Sequence, residues 1–156
     1  GMDIALINIM YAQSLLHYAG AHNPLFLIRK KTQLISADLN AYKIYESPDN
    51  SNYQLFEIRA NRVGIGGGLS SNKIQFTNHS IKIMNGDTLY LFSDGFSDQF
   101  GGLQNKKYTT KRFKDFLLSA QETDMKNQEF LLKAEIEKWR GTLDQIDDVL
   151  VIGVRI

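Results

Sequence analysis

The first two thirds of the chain consist of short apolar runs interrupted by turn residues. The runs are rich in Ile, Leu, Tyr and Phe, and Gly, Pro, Asn and Asp residues separate them. Short connections between strand-sized runs favour antiparallel pairing. Including a final run at the C-terminus, the predicted strands are Ile4–Tyr11, Ser14–Ala19, Leu25–Arg29, Gln33–Ala37, Tyr53–Arg59, Ser80–Met84, Thr88–Ser93 and Val149–Ile156.

One connection carries a specific turn signal. Asn85-Gly86 lies between the runs Ser80–Met84 and Thr88–Ser93. Because an Asn-Gly pair favours a tight hairpin turn, we predict that these two strands pair with each other. Residues 38–52 and 61–78 are polar, rich in Gly and Asn and without clear periodicity, so they are predicted to be loops.

The spacing of apolar residues changes after residue 110. Apolar positions now recur three and four residues apart, which places them on one face of a helix. Two amphipathic helices are predicted, one with Phe113, Phe116 and Leu117 and one with Met125, Leu132, Ile136 and Trp139. Gly141 is expected to end the second helix. Strands followed by helices and a last strand indicate an α+β fold.

Composition limits the classes of function. The chain has 156 residues and is 43% hydrophobic, which suits one globular domain. Its formal net charge of +1 gives no electrostatic case for binding nucleic acid or an anionic membrane. The absence of cysteine excludes disulfides and thiolate zinc sites and is compatible with a reducing compartment, so a cytoplasmic location is expected.

Two strand ends carry the candidate chemistry. Asp94-Gly95 directly follows the apolar run that ends at Ser93, and Asp147-Asp148 precedes the final strand. If the two strands are neighbours, Asp94 and Asp147 lie side by side and can share a divalent cation, for which hard oxygen ligands favour Mg²⁺ or Mn²⁺. The alternative is that both residues simply cap turns.

Neighbouring residues are candidates for supporting roles. Gly95 lets backbone or ligand approach, and Asp98 either supports the metal site or starts a turn or helix. Asp148 is expected to point away from Asp147, because successive side chains of an extended chain face opposite sides.

Three other features each allow a structural or a functional interpretation. His22, in an Asn-Pro turn, is either a ligand or a structural residue. The glycine-rich segment Gly64–Gly68 suggests a nucleotide site but lacks the Lys-Ser/Thr of a P-loop, which favours an ordinary loop. The pair Lys106-Lys107 either attracts phosphate or is solvated surface.

Four segments together resemble a known family. They are YAGAHNPLFLIRK (Tyr18–Lys30), NGDTLYLFSDGFSDQFGG (Asn85–Gly102), EKWRG (Glu137–Gly141) and DQIDDVLVIGVRI (Asp144–Ile156). In this order they are similar to the C-terminal two thirds of bacterial metal-dependent serine/threonine protein phosphatases of the stage II sporulation protein E type. On this resemblance, residues 1–156 are one partial phosphatase domain.

The resemblance implies a fold, a metal site and a reaction. The fold is the type 2C phosphatase α-β-β-α sandwich, truncated on its N-terminal side. Asp94 and Asp147 match metal-binding aspartates of the family, in which two Mn²⁺ or Mg²⁺ ions activate a water for attack on a phosphoserine or phosphothreonine. The implied substrate is a partner phosphoprotein such as an anti-sigma-factor antagonist, and the implied regulator is an upstream sensor domain, which can be membrane-attached.

A further aspartate of the family, upstream of the Met2–Ile7 stretch, bridges both metals. Gly1-Met2 resembles the remainder of a cleaved tag, so we expect the sequence to be a piece of a longer protein and inactive by itself, with weak or absent metal binding. An uncovered sheet edge or face is expected to favour dimerisation. The alternative function is a non-catalytic regulatory module that binds a protein through the same surface.

Overall fold

The computed structural model describes residues 1–33, 42–49, 52–66 and 75–156. Within these ranges the strands are β1 Ile4–Met10, β2 Leu15–Ala21, β3 Leu25–Lys30, β4 Tyr42–Tyr45, β5 Tyr53–Ile58, β6 His79–Lys82, β7 Thr88–Phe92, β8 Phe100–Gly101, β9 Lys106–Lys107 and β10 Val151–Arg155. The α-helices are α1 Gly95–Asp98, α2 Thr110–Ser119 and α3 Met125–Arg140, and a 3-10 turn covers Tyr11–Gln13.

The strands form two main antiparallel sheets. In the described part of the chain, one sheet has the order β1-β2-β6 and the other has the order β10-β7-β3-β5-β4. The short strands β8 and β9 pair separately as a hairpin. Seven of the eight predicted strands therefore have a counterpart, with ends shifted by one or two residues, while most of Gln33–Ala37 lies outside the described residues.

The sheets pack face to face, and helices cover the second face of the five-stranded sheet. One core cluster joins Leu16 and Ile81 of the small sheet to Leu27 of β3, and a second joins Phe26 and Ile28 of β3 to the helices. Alternate residues of a strand face opposite sides, so the uninterrupted apolar run of β3 is buried on both faces. The α+β prediction is confirmed.

The predicted hairpin at Asn85-Gly86 is wrong. The turn itself is present, since the amide of Asp87 donates to the carbonyl of Met84 and Gly86 has a φ of 90°. However, β6 pairs with β2, whereas β7 pairs with β3 and β10, so the turn carries the chain from one sheet to the other.

A buried ion pair accounts for this crossover. The carboxylate of Asp87 accepts hydrogen bonds from Arg29 at 2.8 and 2.6 Å and from the amide of Met84 at 2.8 Å. Arg29 also donates to the carbonyl of Lys82 at 2.8 Å. Both charged side chains are fully buried, so the pair holds the crossover against β3. A turn signal in the local sequence cannot reveal such a distant partner.

The loop prediction for residues 38–52 is wrong in part, because β4 pairs with β5 along Tyr42–Tyr45. Tyr42 is buried and its ring contacts the ring of Phe56 edge-on, at 5.3 Å between centroids. In the loop predicted at 61–78, the described residues 61–66 and 75–78 contain only isolated bridges.

Both predicted amphipathic helices are confirmed. The side chain of Thr109 caps α2 by accepting from the amide of Arg112, and that of Asp124 caps α3 by accepting from the amide of Asn127. Gly141 ends α3 with a φ of 58°. None of the helices within the described ranges has the length and apolar character needed to span a membrane.

Candidate functional site

The two strands that carry the candidate carboxylates are neighbours. Strand β10 pairs antiparallel with β7, with Val151 opposite Phe92. Because the strands run in opposite directions, the end of β7 and the start of β10 lie at the same edge of the five-stranded sheet. The condition for a shared site, that the two strands are neighbours, is therefore met, whereas the binding of a metal by Asp94 and Asp147 remains a prediction.

Ser93 joins the two segments beyond the regular strands. Its hydroxyl donates to the carbonyl of Asp148 at 2.7 Å and accepts from the amide of Leu150 at 2.9 Å. The amide of Ser93 also donates to the carbonyl of Leu150 at 3.0 Å. These three bonds fix the backbone before Asp94 against the backbone after Asp147.

Gly95 is required by the close approach of these segments. A Cβ atom at this position would lie 2.3 Å from the carbonyl oxygen of Asp148 and 2.8 Å from its carbonyl carbon. Both contacts are far below van der Waals separation and involve backbone that cannot rotate away. The sequence predicts a close approach at Gly95, and the structure shows that the approaching group is the backbone of Asp148.

Asp94 stands at the N-terminal end of α1 with an exposed side chain. Its carbonyl accepts from the amide of Asp98 at 2.9 Å and from the hydroxyl of Ser97 at 3.0 Å. Its carboxylate makes no capping hydrogen bond to the helix. Capping by the side chain therefore does not explain an aspartate at this position, and its carboxylate faces solvent at the sheet edge.

Asp147 is also exposed, in the loop before β10. One carboxylate oxygen accepts from the amide of Asp148 at 2.7 Å, and the carbonyl of Asp147 accepts from the side chain of Gln145 at 2.8 Å. The same loop is anchored from the other side, because the Gln99 side-chain amide donates to the carbonyl of Asp144 at 2.9 Å. Local hydrogen bonds thus restrict the orientation of Asp147.

The supporting residues differ in their contacts. Asp98 lies one helical turn after Asp94, where its carboxylate accepts from Lys107 at 2.8 Å. Asp148 contributes its backbone to the Ser93 bonds, while its side chain is exposed.

The backbone hydrogen bonds of two other candidates, His22 and the described part of Gly64–Gly68, lie outside the Asp94 and Asp147 segments. His22 is exposed, with a φ of 60°, and its amide donates to the carbonyl of Asn61. Of the Gly64–Gly68 segment, residues 64–66 are described and lie beside the N-terminus, where Ile65 and Met2 exchange two backbone hydrogen bonds of 2.8 Å. The favoured interpretation as a loop and the alternative of a nucleotide site both stay predictions, since Gly67 and Gly68 lie outside the described residues.

The two aspartates fit a hydrated metal ion with few protein ligands better than an ion enclosed by protein ligands. Across residues 1–33, 42–49, 52–66 and 75–156, no three His, Asp or Glu side chains gather into a metal-binding group. Asp94 and Asp147 supply two hard oxygen donors, which suits a hydrated Mg²⁺ or Mn²⁺ held by one or two carboxylates. The described residues do not form a closed cage for two metal ions.

Sequence reasoning assigned no role to Ser93 or Gln99. Ser93 was visible inside the Ser-Asp-Gly motif, but its partners lie 55 and 57 residues away. Gln99 is fully buried, and its Oε1 has no hydrogen-bond partner within the described residues. Nothing in the local sequence distinguishes a buried anchoring glutamine from an exposed one.

Comparison with known families decides which fold family this is. The family model of stage II sporulation protein E (SpoIIE) matches residues 47–156. The chain belongs to the SpoIIE family. No curated protein matches the sequence of this chain significantly.

Solved structures agree with this assignment at the level of the fold. This chain resembles the SiaA-PP2C domain of Pseudomonas aeruginosa with a TM-score of 0.76 and 23% identity, over 99% of this chain and 51% of that one. It resembles the phosphatase domain of Bacillus subtilis SpoIIE, presoaked with Mn, with a TM-score of 0.62 and 17% identity, over 99% and 56%. The chain therefore has a PP2C-type phosphatase fold and spans about half the length of these structures.

Proposed function

We propose that this chain is part of a metal-dependent phosphatase domain that hydrolyses phosphoserine or phosphothreonine on a partner protein. One observation carries the proposal: two exposed aspartates, Asp94 and Asp147, follow and precede neighbouring strands whose ends Ser93 and Gly95 lock together. Exposed carboxylates on a rigid backbone suit a site where a metal and a phosphate must both enter.

Asp94 and Asp147 are the residues that would hold Mn²⁺ or Mg²⁺. When bound, such ions lower the pKa of a coordinated water and stabilise negative charge on phosphoryl oxygens. Ser93 and Gly95 keep the two aspartate-bearing segments in register, and the bond from Asp148 amide to Asp147 orients one carboxylate. This reaction needs no side-chain nucleophile, which agrees with a chain that has no cysteine.

The proposed substrate is a phosphorylated protein of the anti-sigma-factor-antagonist type, and the proposed regulator is a sensor domain in the same protein. Support for both comes from membership of the SpoIIE family. Neither is needed for the chemistry, because the site requires only a phosphate ester that can reach the exposed sheet edge.

The test measures phosphate release from a phosphoserine protein by the complete gene product that contains this chain, with and without Mn²⁺. Asp94→Asn and Asp147→Asn each remove a charged ligand, so we expect losses on the order of 10²-fold or more. Asp144→Asn is the matched control, because only the backbone carbonyl of Asp144 anchors the loop.

Mn²⁺-independent release, or equal rates for Asp94→Asn and the control, would contradict the proposal. Tight binding of the phosphoprotein without any release would instead support the non-catalytic regulatory module. Isothermal titration with Mn²⁺ separates these outcomes, since a phosphatase site must bind metal and a protein-binding surface need not.

A further inference from the structure

A basic pocket lies between the β8–β9 hairpin and the last turn of α3. Its volume is about 960 Å³. Four cationic side chains and one carboxylate belong to residues that line it: Lys106, Arg112, Lys138, Arg140 and Glu135. This is a marked local excess of positive charge in a chain whose formal net charge is only +1.

The charges in this basic pocket are available to a ligand. In the part of the chain that the structure describes, none of its four cations forms an ion pair. The one carboxylate is already engaged, since Glu135 accepts a hydrogen bond from the hydroxyl of Tyr108 at 3.0 Å. The guanidinium of Arg112 lies over the ring of Trp139 at 4.3 Å, which holds it in place without neutralising it.

The two lysines of β9 have different contacts. Lys107 binds Asp98 at 2.8 Å, whereas Lys106 lines the basic pocket. Successive residues of a strand face opposite sides, so the two lysines cannot serve the same partner. Of the Lys106-Lys107 pair, Lys107 therefore stabilises the structure, and Lys106 is available to bind a ligand.

The walls of the basic pocket are fixed to each other. The amide of Gly102 donates to the carbonyl of Trp139 at 2.8 Å, and a Cβ at Gly101 would lie 1.9 Å from that same oxygen. The indole of Trp139 donates to the carbonyl of Gln99 at 3.0 Å. A ligand thus meets a preformed concave surface, which lowers the entropy cost of binding.

The rim of the basic pocket adds apolar contact area. Leu103, at the tip of the β8–β9 hairpin, is fully exposed, and Leu143 after α3 is exposed as well. Both line the pocket. Exposed leucines next to unpaired cations fit a polypeptide with acidic and apolar side chains better than a nucleic acid, which would need a longer basic surface.

We propose that this basic pocket binds an acidic segment of a partner protein that also carries an apolar side chain. Asp94 directly precedes α1, and Gly101, where the lining of the pocket begins, follows the end of α1 by three residues. A segment bound there can therefore belong to the same protein whose phosphate reaches the sheet edge. This docking role rests on the proposed function, whereas binding of the acidic segment does not.

Binding is tested with this chain and a fluorescent peptide that combines Asp or Glu with Leu, by anisotropy in EDTA. Lys138→Gln with Arg140→Gln removes two charges from the pocket and should weaken binding about tenfold. Lys111→Gln with Lys126→Gln removes the same net charge from exposed positions elsewhere and should change binding less than about twofold. Lys106→Gln, which leaves α3 untouched, should weaken binding in the same direction.

Three outcomes would overturn the proposal: no saturable binding, equal losses in the pocket and control variants, or tighter binding of an oligonucleotide through the same residues. The binding assay contains a chelator and requires no bound metal. It therefore tests peptide binding even if the chain has no phosphatase activity. If the complete gene product is active, the Lys138→Gln and Arg140→Gln pair should raise KM for an acidic phosphoprotein more than it lowers kcat.

Discussion

The acidic sheet edge and the basic pocket flank the same short helix, but they are held in place differently. At the edge, backbone bonds of Ser93 and the missing side chain of Gly95 set the positions of the aspartate-bearing segments. In the pocket, the walls are fixed by backbone, but the charges stand on long side chains. One substitution can therefore disrupt the edge, whereas charges in the pocket should contribute separately and more evenly.

The largest expected effect breaks the edge. Gly95→Ala places a methyl group against the carbonyl of Asp148, so β10 must shift, and we expect a loss of about 3 kcal/mol in the free energy of unfolding. Gly153→Ala is the control, because its nearest obstacle is the flexible end of Met125, and it should cost less than about 1.5 kcal/mol. Urea unfolding measures both, and equal losses would show that the contact at Gly95 is soft.

The next effect concerns a buried group that joins β7, the strand before Asp94, to α3, whose last turn lines the basic pocket. The hydroxyl of Tyr90 in β7 donates to Gln128 of α3 and accepts from Gln121 at 2.9 Å. Tyr90→Phe leaves the side-chain Oε1 of Gln128 without that donor, so we expect the free energy of unfolding to fall by about 1–3 kcal/mol, as measured by urea unfolding. Ser119→Ala, which removes one exposed local bond, serves as the control.

Tyr90 also predicts a dependence on alkaline pH. Burial raises the pKa of Tyr90 to about 12, above its ordinary value of 10.0. The folded state therefore favours the protonated hydroxyl, whose contribution is complete below about pH 10 and decreases as the pH rises towards 12. The difference in stability between wild type and Tyr90→Phe should shrink over that range, and a constant difference would contradict this account.

A smaller effect isolates the hydrogen bonds of the edge. Ser93→Ala removes the hydroxyl that joins Asp148 to Leu150, with an expected cost of about 1 kcal/mol in unfolding free energy. Hydrogen exchange at the amide of Leu150 should increase, because that amide loses its acceptor. Unchanged exchange at this amide would mean that the strand pairing alone holds the edge.

The smallest effect lies between the two surfaces. Lys107→Gln breaks the ion pair with Asp98, in which both side chains are more than a third exposed. Exposed pairs contribute little, so we expect a change below about 1 kcal/mol by urea unfolding, decreasing further at high salt. A larger loss would show that Asp98 is part of the rigid edge rather than of a solvated pair.

The sequence predicted what depends on local pattern. The run Leu25–Arg29 indicated a buried strand, and the spacing from Met125 to Trp139 indicated the long helix. Asp94 and Asp147 were recognisable as strand-end carboxylates, because each lies next to an apolar run, but the local pattern did not predict that the two strands pair.

What the sequence could not predict depends on distant partners. The buried pair of Arg29 and Asp87 directs the chain from one sheet to the other, although Asn85-Gly86 taken alone favours a hairpin. Likewise, the roles of Ser93 and Gln99 arise from residues about 40 or more positions away.

Gln99 has a thermodynamic consequence. Its carbonyl accepts from the indole of Trp139, in the wall of the basic pocket, and its side chain donates to Asp144, in the loop that leads to Asp147. A single buried residue therefore contacts both the wall of the basic pocket and the loop that leads to Asp147. Any coupling free energy transmitted in this way is reciprocal: a peptide that tightens cation binding must itself be bound more tightly, by the same factor, when the cation is present.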